Sequence, residues 1–139
     1  MSDSPPFSPT IALLTIVTAW EKDFAAALKP LGLTSRKYAL LGHIRSTPGI
    51  SFSELARRSR ITTPSAHVAV AGLKNDGLVA DATERAGAAS HLQVTPQGER
   101  MLSAAAESLA ELDARFAETH PALSGALRAE FDARRNRSG

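Results

Sequence analysis

From Pro9 the apolar residues Leu13, Val17, Trp20, Phe24, Leu28 and Leu31 recur every third or fourth position, the period of one helical face. Ile11, Leu14 and Ile16 put further apolar surface off that stripe. A helix that is apolar on more than one side must be buried on more than one side, and in a chain of 139 residues this suggests a partner chain. The second half adds to the demand. Leu102, Ala105, Leu109, Leu112 and Phe116 follow a three-four spacing that predicts a pairing seam on a long helix opened by Thr95-Pro96. Leu123, Leu127 and Phe131 mark a last amphipathic helix, after which a basic tail (Arg134, Arg135, Arg137) trails off.

Between these stripes the signals are short and closely spaced. Gly32 closes the first helix and Thr34 is placed to cap a second, which carries Tyr38, Leu41 and Ile44 and stops before the turn cluster Ser46-Thr47-Pro48-Gly49. Ser51-Phe52-Ser53-Glu54 matches a capping box, in which serine and glutamate satisfy each other's free backbone N–H groups, and opens a short helix over about residues 52–59. In Ile61-Thr62-Thr63-Pro64, Thr63 reads as the next cap with Pro64 at the first helical position. Ala66, Val70 and Leu73 form that helix's inward face, and Gly77 ends it. Leu78-Val79-Ala80 and Leu92-Gln93-Val94 read as two strands, with Leu92 and Val94 on one face and His91 and Gln93 on the other. Two helices joined by a tight turn, then a hairpin, then more helix is the order of a winged helix-turn-helix. In that arrangement the second helix presents its N-terminal residues to base edges in the major groove.

Composition narrows the classes. Without cysteine there are no disulfides, thiolate zinc sites or iron–sulfur clusters. His43, His67, His91 and His120 lack metal-ligand spacing, no phosphate-binding glycine loop or nucleophile elbow occurs, and no carboxylate is paired with a histidine at useful spacing. No metal, no cofactor and no catalytic residue is therefore expected, and the chain does not read as an enzyme. The first twenty residues contain no Lys or Arg, and Ser4–Trp20 is broken by Pro5, Pro6 and Pro9, so neither a secretory signal nor a membrane span is read there. A cytoplasmic protein with no membrane partner is the expectation. Residues 1–8 read as a loose arm.

Leu33-Thr34, Tyr38 and Leu41, then Pro48-Gly49-Ile50-Ser51, Glu54-Leu55-Ala56, Ile61-Thr62, Leu73, Asp76-Gly77-Leu78-Val79 and Val94-Thr95-Pro96-Gln97-Gly98 resemble, in one order, the multiple-antibiotic-resistance regulator (MarR) family. The motifs cover about residues 30–102, and the flanking helices match as a general pattern. The resemblance implies a mainly α fold with a small β-hairpin wing. It divides one domain, 1–139, into dimerisation helices at 9–32 and 96–134 around a winged helix-turn-helix at 33–95. It also implies a homodimer on a pseudo-palindromic operator in double-stranded DNA, acting as a repressor and released by a small phenolic or aromatic acid.

On this reading the DNA-binding candidates are Arg36, Ser53, Arg57, Arg58, Arg60, Thr62, Thr63, Ser65, His67, Val68 and Arg85, and the effector candidates are Trp20, Phe24 and Tyr38. Each has a plainer alternative. Arg57, Arg58 and Arg60 reach phosphates or form a solvated helix face, His67 touches a base or points an imidazole into solvent, and the three aromatics line a pocket or are core. The chain also departs from the family. Where members carry an Asp-x-Arg in the wing it has Ala86-Gly87-Ala88, with Arg85 one residue early, and residues 61–73 carry no formal charge. Across 51–100 the cations Arg57, Arg58, Arg60, Lys74, Arg85 and Arg100 are nearly balanced by Glu54, Asp76, Asp81, Glu84 and Glu99. A winged-helix dimer with weak or lost DNA binding, serving as a ligand-binding or protein-interaction module, is therefore the competing expectation.

Overall fold

A computed structural model describes residues 3–81 and 91–139. Helix α1 (Pro9–Leu28) continues into one turn of 3-10 helix (Lys29–Leu31), followed by α2 (Ser35–Ser46), α3 (Phe52–Ser59), α4 (Thr63–Asn75), strands β1 (Val79–Asp81) and β2 (Leu92–Val94), α5 (Pro96–Thr119) and α6 (Pro121–Ser138). The expected stripe from Pro9 to Leu31 is thus not one continuous α-helix. Pro30 lacks the N–H that an α-helical turn would use, the backbone tightens, and Gly32 closes it in the left-handed region (φ 71°).

Local signals account for most of the ends. The Thr34 hydroxyl accepts the Lys37 N–H at 3.1 Å, and the Ser51 hydroxyl accepts the Glu54 N–H at 3.1 Å. The capping box is completed on one side only, because the Glu54 carboxylate turns to Arg57 and Arg58. Helix α4 begins one residue earlier than expected: Thr62, not Thr63, is its cap and accepts the Ser65 N–H at 3.2 Å. Pro64 then sits one position further in, where its missing N–H still leaves no intrahelical bond unmade. Strand β1 is shifted by one residue from the expected 78–80, and pairs antiparallel with β2 in the register Val79 with Val94, Ala80 with Gln93 and Asp81 with Leu92. Leu92 is buried and His91 and Gln93 are exposed, as the alternation requires. The basic tail is not a tail, since α6 carries Arg134, Arg135 and Arg137 in helix through Ser138.

One core joins the small helices to the wing and to the near half of α5. Leu28, Leu40, Leu41, Ile44, Leu55, Val70, Leu73 and Leu92 are its largest fully buried side chains. At the wing's root, the Thr95 hydroxyl donates to the Gly77 carbonyl (2.6 Å) and accepts the Gly98 N–H (3.0 Å). Gly98 lies so close to the Leu78 carbonyl and the Val94 side chain that any Cβ there would overlap both. The seam Leu102, Ala105, Leu109 and Leu112 is buried, but within the chain rather than against a second one. It meets α1 and α2, and Trp20 packs edge-to-face on Phe116 at 5.0 Å between ring centroids. Three-four spacing marks a seam without saying whose helix fills it. The large apolar side chains left uncovered lie elsewhere: Phe7, Ile11, Leu13, Leu14 and Val17 at the N-terminal end, Leu127 and Phe131 on α6, and Val68 on α4.

Candidate nucleic-acid interface

Helices α3 and α4 form a helix-turn-helix held by its backbone. Arg60 takes a left-handed conformation (φ 55°) to end α3, and the Ile61 N–H reaches back to the Ala56 carbonyl at 3.0 Å. Ala66, Val70 and Leu73 are buried, so the opposite side of α4 is presented to solvent: Thr62, Thr63, Ser65, His67 and Val68 are all exposed, Val68 at 75%. The Thr62 hydroxyl donates to Ser65 Oγ at 2.8 Å, which orients both groups at the helix's first turn.

His67 is exposed, but not on both faces. Its ring stacks on Phe52 of α3, 3.8 Å between centroids and 14° between planes, so one face is covered and only the rest of the ring can meet a ligand. No spacing rule pairs residues 52 and 67; the contact exists because α3 and α4 cross there.

The arginines are not equivalent. Arg57 Nε donates to Glu54 Oε2 and Arg58 Nε to Glu54 Oε1, each at 2.9 Å, while Arg58 Nη1 reaches the Thr47 hydroxyl at 2.8 Å. The hydrogen bonds from Arg57 and then Arg58 bring the Glu54 pKa down to about 2, and the hydrogen bond to Glu54 raises that of Arg57. One carboxylate thus offsets part of the charge of two cations. Arg36 and Arg60 are exposed and have no ion-pair partner among the described residues. Ser53 is exposed, its hydroxyl 3.3 Å from that of Ser51. Arg85 and the Ala86-Gly87-Ala88 departure lie outside the described residues.

Two open cavities hold residues expected to be functional. A groove of about 500 Å³ runs between the start of α2 and the exposed side of α4, lined among others by Arg36, Lys37, Ser65, Val68 and Gly72. Another, of about 450 Å³, lies where α1 and α5 meet the start of α2, lined by Trp20, Phe24 and Phe116 with Val17, Glu21, Ser35, Leu112 and Asp113. Two of the three expected effector residues thus meet in one cavity. Tyr38 is not in that lining: it packs edge-to-face on Phe24 at 5.9 Å, half-buried against the core as Phe24 is. Phe116, read only as part of a seam, belongs to this cavity, and so do Glu21 and Asp113, which no periodicity singled out. Among the described residues no group of His, Asp or Glu could hold a metal ion, and no helix is long and apolar enough to cross a membrane.

A family model described as "MarR family" matches residues 31–88. An HTH-type transcriptional repressor of Mycobacterium tuberculosis is 31% identical over 94 residues, covering 67% of this chain and 68% of that protein. Among solved structures, a Mycobacterium tuberculosis MarR family protein in complex with salicylic acid is 26% identical over 100% of both chains, with a TM-score of 0.69. The complex of that protein with DNA superposes at a TM-score of 0.74 over 96% of this chain and 99% of the other; at 24% identity it speaks for the shared winged-helix fold alone.

Proposed function

The chain belongs to the MarR family of transcriptional regulators, which are not enzymes, and from that premise we propose that it is a homodimeric repressor of a pseudo-palindromic operator, released by a small aromatic ligand. The observation that carries the reading is the exposed face of α4, a recognition helix with a buried inner side and Thr63, Ser65 and Val68 turned outward. Val68, apolar and largely exposed, suits the methyl group of thymine, and the Thr63 and Ser65 hydroxyls suit base edges. His67 reaches a base only past the edge of its Phe52 stack. Thr62 serves first as the helix cap. Arg36, Arg60 and Ser53 are assigned to phosphates, and Arg57 and Arg58 also, at the cost of loosening Glu54. Arg85 is assigned to the wing's minor-groove contact on sequence alone.

In this proposal residues 33–95 read DNA while 9–32 and 96–134 pair the two copies. Support comes from the apolar side chains that the single chain leaves uncovered on α1 and α6. A two-fold dimer presents its recognition helices about one helical turn apart, hence half-sites centred ~10 bp apart or a multiple of that. The cavity holding Trp20 and Phe24 is the proposed effector site.

The deciding experiment is binding to the DNA just upstream of the chain's own coding region, at two salt concentrations. A symmetric footprint with affinity falling as salt rises supports the repressor. Equal, weak binding to all sequences supports the second reading, a winged-helix dimer with weak or lost DNA binding. The Glu54 clamp on Arg57 and Arg58 is the observation in that reading's favour.

A further inference from the structure

The geometry points to an aromatic cation, rather than an aromatic acid, as the occupant of the cavity between α1 and α5: Trp20, Phe24 and Phe116 supply the ring surfaces, and Glu21 and Asp113 supply the counter-charge. This inference rests on the reading of that cavity as the effector site. Neither carboxylate has an ion-pair partner among the described residues, so both keep their charge for whatever enters. None of the residues lining the cavity is Lys or Arg. Lys22 and Arg115, next to Glu21 and Phe116 in the chain, are not among the lining residues. Arg36 and Lys37 line the other groove, where Lys37 is paired with Asp76 at 3.0 Å. Arg128 and Arg134 line an adjoining cavity that shares Asp113 and Phe116 with this one, and Arg128 is paired with Asp132 at 3.3 Å.

One feature of the wall favours an anion. Ser35 opens α2, and a helix N-terminus carries the equivalent of roughly half a positive charge. Two full negative charges on the same wall outweigh it. An aromatic carboxylate entering here would meet like charge, with no guanidinium or ammonium in the cavity's lining. A cation would meet two carboxylates and, in Trp20, the ring type with the strongest attraction for positive charge. The two cavities are thus of opposite sign, and the basic one lies on the DNA-facing side.

Trp20 is the chain's single tryptophan, so its fluorescence reports on this cavity's aromatic wall. The full-length protein is titrated with three probes that share one ring: benzyltrimethylammonium, benzyl alcohol and benzoate. The ammonium ion is expected to bind at least about tenfold more tightly than benzoate, with the neutral alcohol between them. The double substitution Glu21→Gln, Asp113→Asn, at two exposed positions, should shrink that ratio to about threefold or less. Benzoate binding as tightly as the ammonium ion, or an unchanged ratio in the double variant, overturns the inference. Operator release is scored with the same probes. If benzoate both binds better and releases DNA, the charge assignment fails while the effector site stands. If the ammonium ion binds as expected but DNA stays bound, the effector reading fails while the charge assignment stands. If none of the probes changes Trp20 fluorescence, both fail.

Discussion

The small helices α2 to α4 and the flanking helices α1 and α6 spend their apolar residues in opposite ways. In the first group Leu40, Leu41, Ile44, Leu55, Val70 and Leu73 are enclosed by the chain itself, and Val68 is the one large apolar side chain turned outward. In the second, Ile11, Leu13, Leu14 and Val17 of α1 and Leu127 and Phe131 of α6 face outward, and α6 buries nothing fully. Scattered exposed apolar residues are ordinary, but several in succession on one helix are the mark of an interface. The contrast separates a unit that completes its own core from a pair of helices whose core requires a second copy. The copy's interface is expected in the obligate class, ~2,000 Å² or more.

Four experiments bear on that contrast. The largest effect is expected inside the self-contained unit. Leu73→Ala removes a fully buried side chain and should cost about 2–5 kcal/mol in denaturant unfolding, with pairing retained wherever the protein is folded. Next is Leu14→Glu, which would put a charge into the proposed dimer surface at a cost of roughly 3 kcal/mol, enough to lower dimer affinity about a hundredfold. Light scattering should then find monomer at micromolar concentration, with a melting temperature that depends on protein concentration. A Leu14→Glu protein that remains dimeric would move the interface away from α1.

Smaller, and opposite in sign for stability and binding, is Arg60→Gly. The left-handed backbone at Arg60 costs a non-glycine residue of order 1 kcal/mol, so glycine should stabilise the fold by about that amount. If the side chain neutralises a phosphate, the same change lowers the slope of log affinity against log salt by about 0.9. Stabilisation with an unchanged slope would show the arginine to be idle on DNA. The smallest effect is a titration. The Glu54 carboxyl is held at about 2 in the folded state, below its ordinary 4.5, so it favours folding above the ordinary range and that contribution is lost as pH falls toward 2. NMR should place its midpoint near 2, and Arg57→Gln should move it back up. Operator DNA that draws the arginines onto phosphates should do the same.

What could be read from residues alone follows the range of the forces involved. Caps and helix faces are local, so Thr34, Ser51 and the inward set Ala66, Val70 and Leu73 were legible. The choice between Thr62 and Thr63 as cap was not, because two adjacent threonines before a proline satisfy the same rule. The cavity was half legible. Trp20 and Phe24 share a face of α1, but Phe116, Glu21 and Asp113 enter only when α5 is laid against it. The clamp on Arg57 and Arg58 follows helical spacing from Glu54, yet spacing alone leaves open whether they face that glutamate or a phosphate.

The joint at Thr95 and Gly98 also sets a mechanical ratio. With its hydroxyl bridging Gly77 and Gly98, and no room for a Cβ against Leu78, the start of α5 is fastened to the root of the wing with no slack between them. Phe116, at the cavity, lies about 27 Å farther along the same helix, at 1.5 Å per residue. Each ångström of sideways travel at Phe116, if α5 pivots as a rigid rod, turns the wing by only about 2°. The helix is a reducing lever: a ligand that merely nudges the aromatic wall barely re-aims the wing, and a large turn requires the far end of α5 to travel several ångströms.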